Sequence, residues 1–502
     1  MNSQKGFDNE KYLEIQSKEI LKRVEKFEKL YLEFGGKIYG DFHASRVLPG
    51  YEPDTKIKML KMIKDKCEII LCISAKDIEN SKIRGDFGLN YGASALKSIN
   101  DLKDLGIEIS SIVINRFSGE KKALKFKQYL DNLKIKTYMQ KEIEGYPSNI
   151  EKIVSKEGYG QNPYIKTKKP IIVVTGVGPG SGKMSFCLSQ LYFDHLNGIK
   201  SNFAKFETFP IWNLPLEHPI NIAYEAATSD IGDKNMVDPF HLKEYNIPAV
   251  NYNRDIENFP ILKKILEKIK QETYKSPTEM GVNKAKEGII NDELIKEAAN
   301  QEIIRRYFRY KKEYQLGLID KKVFEEIEKI MNVADLKEEY RTVVLKARKA
   351  ASCAEKDEKK GNKGFFCGSA IEIEGEFITG KNSELLHSES ACIINALKHL
   401  ANIPEKIHIF PRQVIKSIKL MRQKISQNSN PSLDVSEILI ALAISASTNP
   451  SAQECIDKLP LLKGKEMHTT HLPTKGDEIG LREIGINLTT DAEITQKIHI
   501  IG

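Results

Sequence analysis

The chain has no apolar run long enough to span a bilayer, and its opening residues, MNSQKGFDNEKY, are polar and carry no signal-peptide core. The expectation from both is a cytoplasmic protein without a membrane partner. None of the seven cysteines (67, 72, 187, 353, 367, 392 and 455) stands in a C-x-x-C pair. An odd, scattered set in 502 residues fits reduced thiols rather than a disulfide framework. There is no H-E-x-x-H, which removes zinc proteases of that type. Blocks of like charge are missing too. Lys and Arg number 77 against 69 Asp and Glu, a net charge of +8, with the signs interspersed and no basic-aromatic motif beside them. Nucleic acid is therefore not an expected partner. No internal repeat and no long low-complexity tract is visible.

What is present begins with Pro170-Ile-Ile-Val-Val-Thr-Gly-Val-Gly-Pro-Gly-Ser-Gly-Lys183-Met184-Ser185. A β-branched apolar run enters a glycine loop, and a helical pattern (Met184, Cys187, Leu188, Leu191) leaves it, with Gly198 as its stop. That layout cradles phosphates. Gly178, Gly180 and Gly182 leave backbone N–H groups accessible to an anion, with Ser181, Met184 and Ser185 beside them; Lys183 reaches the terminal phosphates, and the helix N-terminus adds positive potential. The standard spacing is G-x-x-x-x-G-K-[ST]. Val177 occupies the first glycine position, and Met184 the position of the Mg²⁺-binding hydroxyl, with Ser185 one residue late. Phosphate binding survives these departures better than Mg²⁺-dependent hydrolysis. The alternative is a tight turn that binds nothing.

A chain this long exceeds one core, and strand-like runs at 30–34, 68–74, 107–115, 136–139, 171–175 and 202–207 alternate with amphipathic helices. The fold class expected is α/β, multidomain, with parallel sheet and a P-loop-like strand–loop–helix. Residues 1–165 form an N-terminal α/β unit, and 166–285 a second one packed with it. Residues 286–360 are a helical segment ending in the charged linker AEKDEKKGNKG, and 361–502 a C-terminal α/β domain.

Carboxylates gather downstream of the loop. Glu207 ends the strand after it, where ligands of parallel sheets collect, and suits a base or a metal ligand; Lys205 suits a phosphate. Asp230, Asp233 and Asp238 crowd one short stretch with oxygen ligands fit for Mg²⁺, although Asp favours turns on its own account. Arg254 could clamp a carboxylate or phosphate. His468 and His471 have ligand-like spacing but no third ligand.

The strings YLEFGGK, DFHASRVLPGY, EGYPSNI, GPGSGKM, KFETFPIWNLPLEHP, DPFHL, VNYNRD and SPTEMGVN together resemble a bacterial family, the domain of unknown function 1846 (UPF0371), along most of the chain. That resemblance implies no activity. The segment from Val173 to His241 is similar to the synthetase domain of CTP synthase and its P-loop relatives. By that likeness Lys183 would bind phosphates, Glu207 would take the metal-binding place, and Asp230 or Asp233 would lie near the metal. A glutaminase domain is missing, so the class implied is ATP-dependent ligation or phosphoryl transfer to a small molecule. The C-terminal domain resembles the cytidine-deaminase fold: a hairpin at 370–380, a helix opening His387-Ser-Glu389, then a strand at 407–410. Arg412 and Ile415 replace its two cysteines, so no zinc is expected, and His387 and Glu389 read as helix-start residues.

These readings leave an ATP- or GTP-using ligase, kinase or NTPase with Lys183, Glu207 and Asp233 catalytic, and Mg²⁺ on Glu207, Asp230 and Asp238. The alternatives are a non-catalytic nucleotide or phosphometabolite binder, and a structural protein with a vestigial loop. Base rates favour a symmetric homo-oligomer.

Overall fold

The computed structural model describes residues 5–81, 83–84, 89–270, 273–356, 365–425 and 432–492. Residues 357–364 of the expected linker lie outside them. The chain divides into two compact units, Met1–Glu302 and Ile303–Gly502.

The first unit is built on a seven-stranded parallel sheet. Its strands are β1 (Lys29–Phe34), β2 (Cys67–Ser74), β3 (Ile109–Phe117), β4 (Thr137–Lys141), β5 (Ile171–Gly176) and β6 (Ser201–Phe206). A ribbon, β7 (Asn235–Val237) with β8 (Val250–Tyr252), stands apart, and the two-residue β9 (Gly281–Val282) closes one edge. The order is β9-β6-β1-β5-β2-β3-β4. Strands from residues 1–165 and from 166–285 therefore interleave in one sheet. Its central strands are buried on both faces, which is why they read as uninterrupted apolar runs.

Two helices, α1 (Lys183–Leu196) and α2 (Asn253–Lys268), cover one face, where Tyr31, Ile172, Val174 and Phe203 meet Phe186, Leu191, Leu262 and Ile265. The connection from β1 runs to β2, on one side of the sheet centre. The connection from β5 crosses β1 to β6, on the other. Neighbouring strands whose connections leave in opposite directions open a crevice at their carboxyl ends. That crevice lies between β1 and β5.

The helical stretch after the first unit's last strand comprises α3 (Asp292–Gln315), α4 (Lys321–Val333) and α5 (Thr342–Lys356). In the second unit α5 packs directly on β10 (Gly368–Ile373). A Cβ added to Gly368 would come within 2.4 Å of Ala347 O and Ala351 N, so only glycine admits this approach. β10 pairs antiparallel with β11 (Glu376–Lys381) and with β12 (Glu466–Thr469), which pairs parallel with β13 (Asn487–Thr490). Between β11 and β12 run α6 (Ser388–Leu400), α7 (Arg412–Ile425) and the helices Val435–Ala446 and Pro450–Lys458. The strand expected at 407–410 is not one. β12 fills the place beside β10, and Ile409 and Phe410 are buried as loop residues in the helical core.

Candidate active site

β5 ends at Gly176, and α1 begins at Lys183 with Gly182 as a left-handed N-cap that supplies no side-chain cap. The loop between them sits at the β1/β5 crevice. Each glycine has its own cause. A Cβ on Gly176 would meet Ser181 Oγ at 2.1 Å, and one on Gly178 the Tyr91 hydroxyl at 2.6 Å. One on Gly182, whose φ is +83°, would meet Asn115 Cβ at 2.7 Å, while Gly180 turns the chain at φ +71° in open space. Packing alone thus accounts for three of the four glycines, as a plain turn would require.

The loop also offers free donors. Among the described residues, no protein group accepts a hydrogen bond from the backbone N–H of Gly178, Gly180, Gly182, Lys183, Met184 or Ser185. Ser181 is buried, its carbonyl accepting from Asn115 Nδ2 at 2.7 Å and its hydroxyl without a partner. Lys183 Nζ lies 3.5 Å from Glu33 Oε1 on β1. Met184 packs against the apolar core, which explains why no hydroxyl stands there.

Glu33 pairs in register with Lys205 on β6. Lys205 is buried; its ammonium contacts Asp255 of α2 and the Tyr252 hydroxyl at 3.0 Å. Burial works against that ammonium, but Asp255, Glu207 and Glu33 outweigh it and raise its pKa. Glu207, just past β6, accepts from the Tyr252 hydroxyl at 2.6 Å. Burial pushes its carboxyl up to about 7, against Lys205 and with the help of Asp255 and Glu33. A carboxylic acid poised there exchanges protons near neutrality. Lys205, Glu207 and Asp255 line a recess of about 340 Å³, counted with its open mouth, walled by Trp212, Pro277 and Asn283. Loop and recess are two strand spacings apart, about 10 Å.

The acidic stretch is taken up by the protein's own groups. Both Asp233 oxygens accept from Arg254, so the clamp expected of Arg254 is spent inside the protein. Asp238 caps the helix Pro239–Tyr245 through Phe240 N and His241 N, and accepts from Thr278 N and Oγ1 as well. Asp230 is exposed in a short 3₁₀ turn. Among the described residues no three His, Cys, Asp or Glu side chains are grouped to hold a metal ion, so Glu207, Asp230 and Asp238 do not form the expected Mg²⁺ site. The lysine of Lys205 supplies the positive charge beside Glu207 instead.

Sequence reasoning missed Glu33, Tyr252 and Asp255. Glu33 carried a signal: a carboxylate within the otherwise largely apolar strand KLYLEF.

In the second unit His387 is the N-cap residue of α6, with Nδ1 2.8 Å from Asp477 Oδ2. Burial opposes its charge, yet Asp477 holds its pKa up at about 9. Glu389 is fully buried, accepting from Ser388 and Thr469 hydroxyls at 3.0 Å, with His471 Nε2 at 3.5 Å. His468 is buried against Thr489 and Asp491. These helix-start and histidine positions belong to an interior polar network.

No helix among the described residues is long and apolar enough to cross a membrane. The model of the family described as domain of unknown function DUF1846, N-terminal, matches residues 5–335, and that of DUF1846, C-terminal, residues 339–499. A UPF0371 protein of Clostridium botulinum (strain ATCC 19397 / Type A) is 50% identical over 492 residues, covering 97% of each chain. A UPF0371 protein of Clostridium botulinum (strain Eklund 17B / Type B) is 49% identical over 490 residues, again 97% of each. The chain belongs to the DUF1846 (UPF0371) family.

Proposed function

We propose that this protein binds a phosphate-bearing small molecule, with ATP and GTP the leading candidates, at the carboxyl ends of β1, β5 and β6. One observation carries the reading: the glycine loop presents unpaired N–H groups and Lys183 at the β1/β5 crevice. The enzyme reading is a ligase, kinase or NTPase acting on a small metabolite. Lys183 and the loop would hold phosphate, and Glu207 would move a proton at the neighbouring recess. Mg²⁺ would arrive on the phosphates and keep its waters, because the described residues offer no cage for it. The core packing of Met184 favours the second reading, regulatory binding without turnover. A cytoplasmic location and a closed symmetric oligomer complete the proposal; sedimentation tests the latter.

Calorimetric titration with ATP, GTP and inorganic phosphate, with and without Mg²⁺, beside Lys183→Ala, tests it. Binding that Lys183→Ala abolishes supports the phosphate site, and turnover with Mg²⁺ then selects the enzyme. No binding to the wild type in any condition leaves the loop as a structural turn.

A further inference from the structure

The recess beside β6 is a feature that phosphate binding at the loop leaves unused. Most of its space is open mouth, and the enclosed part takes a group about the size of a water molecule, which suits an ammonium head with the rest of a small molecule outside. Its charges do not cancel. Lys205 is engaged by Asp255 and Tyr252. Lys183 faces Glu33. Glu207 has only a neutral partner, the Tyr252 hydroxyl, and its other oxygen accepts no hydrogen bond from a described residue. Lys205 lies beside Glu207 but is ion-paired to Asp255, so a carboxylate with no ion pair of its own lines a cavity that also has an indole in its wall. That pairing attracts an ammonium group through the ion pair and through the ring quadrupole.

We propose that this recess binds the protonated amino group of a small metabolite, with Glu207 as its ion-pair partner and Trp212 as its wall. That this amine is the co-substrate of a phosphate-bearing ligand rests on the preceding reading; its binding does not. Glu207 is faced by Lys205 on β6, Asp255 on α2, Tyr252 at the end of β8 and Glu33 on β1. Its protonation near pH 7 removes the partner charge, so amine affinity falls on the acid side.

Trp212 is the only tryptophan in the chain, so its emission reports on the recess. The full-length protein is titrated with n-butylamine and putrescine, and with n-butanol and butyrate as size-matched controls, by Trp212 emission and calorimetry. Both amines should give a saturable response that the controls do not. Affinity should fall at least tenfold in Glu207→Gln, and likewise in the wild type between pH 8 and pH 5.5, where both amines stay protonated. If Glu207→Gln does not fold, the wild-type pH pair decides. No saturable response to either amine, an equal response to n-butanol or butyrate, or an affinity indifferent to pH overturns the proposal. Amine binding that persists while no phosphate ligand binds overturns the phosphate reading instead.

Discussion

Lys183 and Glu33 face each other across the β1/β5 crevice at 3.5 Å, and Glu33 has Lys205 as its in-register neighbour on the other side. One carboxylate thus stands between two lysines. An anion arriving at the loop competes with Glu33 for Lys183. Glu33→Gln should tighten inorganic phosphate binding about three- to tenfold, the worth of roughly 1 kcal/mol for a partly exposed ion pair. Calorimetric titration reads it. Weaker binding would mean that Glu33 positions the lysine rather than screening it.

The glycines predict a ranking. Gly182→Ala meets both a positive φ and Asn115 Cβ at 2.7 Å, whereas Gly180→Ala meets only the positive φ. The first should destabilise the protein by about 2–3 kcal/mol and the second by about 1 kcal/mol, measured by urea unfolding followed at Trp212. Equal costs would contradict the packing described for Asn115.

The central sheet strands were legible because parallel strands buried on both faces leave nearly unbroken apolar runs, whereas the edge strand β4, TYMQK, is only partly buried. β9 left no signal, being two residues that join the sheet only because β6 offers an edge. The run at 407–410 shows the converse: short apolar runs do not distinguish strand from buried loop. Lys183 and Glu207 were legible because a glycine turn and a strand end mark them. Their partners were not, since Tyr252 and Asp255 reach Glu207 and Lys205 across 45 and 50 residues of chain. Asp233 and Asp238 drew attention for their charge, but Asp is also a preferred helix cap and arginine partner, and here it does those things.

Glu207 predicts a stability cost with a defined sign. Its carboxyl is raised from 4.5 to about 7 in the folded state, mainly by burial. Near pH 4.5 the folded protein carries it protonated at no loss. As pH rises towards 7 the unfolded chain ionises first, and the folded state loses ground until both are ionised. Glu207→Gln has no proton to lose. It should therefore be more stable than the wild type at pH 8, by about 1–3 kcal/mol, and indistinguishable from it near pH 4.5. Urea unfolding at the two pH values checks this. A variant less stable at pH 8 would show that the Tyr252 bond matters more to the fold than the buried charge.

His387 predicts the opposite sign in the second unit. Burial opposes its charge, but Asp477, with Glu389 and Asp434 also facing it, raises its pKa from 6.5 to about 9. The imidazolium is bonded to Asp477, whose other oxygen accepts from Val435 N at 2.9 Å, so the pair ties the start of α6 to the helix that follows α7, Val435–Ala446. A group whose folded pKa is raised gives its full stabilisation below its unfolded value, here below about pH 6.5, and loses it as pH climbs through 9. The loss is on the order of 2–3 kcal/mol. Trp212 lies in the first unit, so hydrogen exchange of the α6 amides is the suitable reading. Protection corrected for intrinsic exchange should fall between pH 6.5 and 9 in the wild type, and His387→Gln should be less protected at pH 6 but flat across the window. Flat protection in the wild type would mean that the imidazole stays neutral, held by geometry rather than charge.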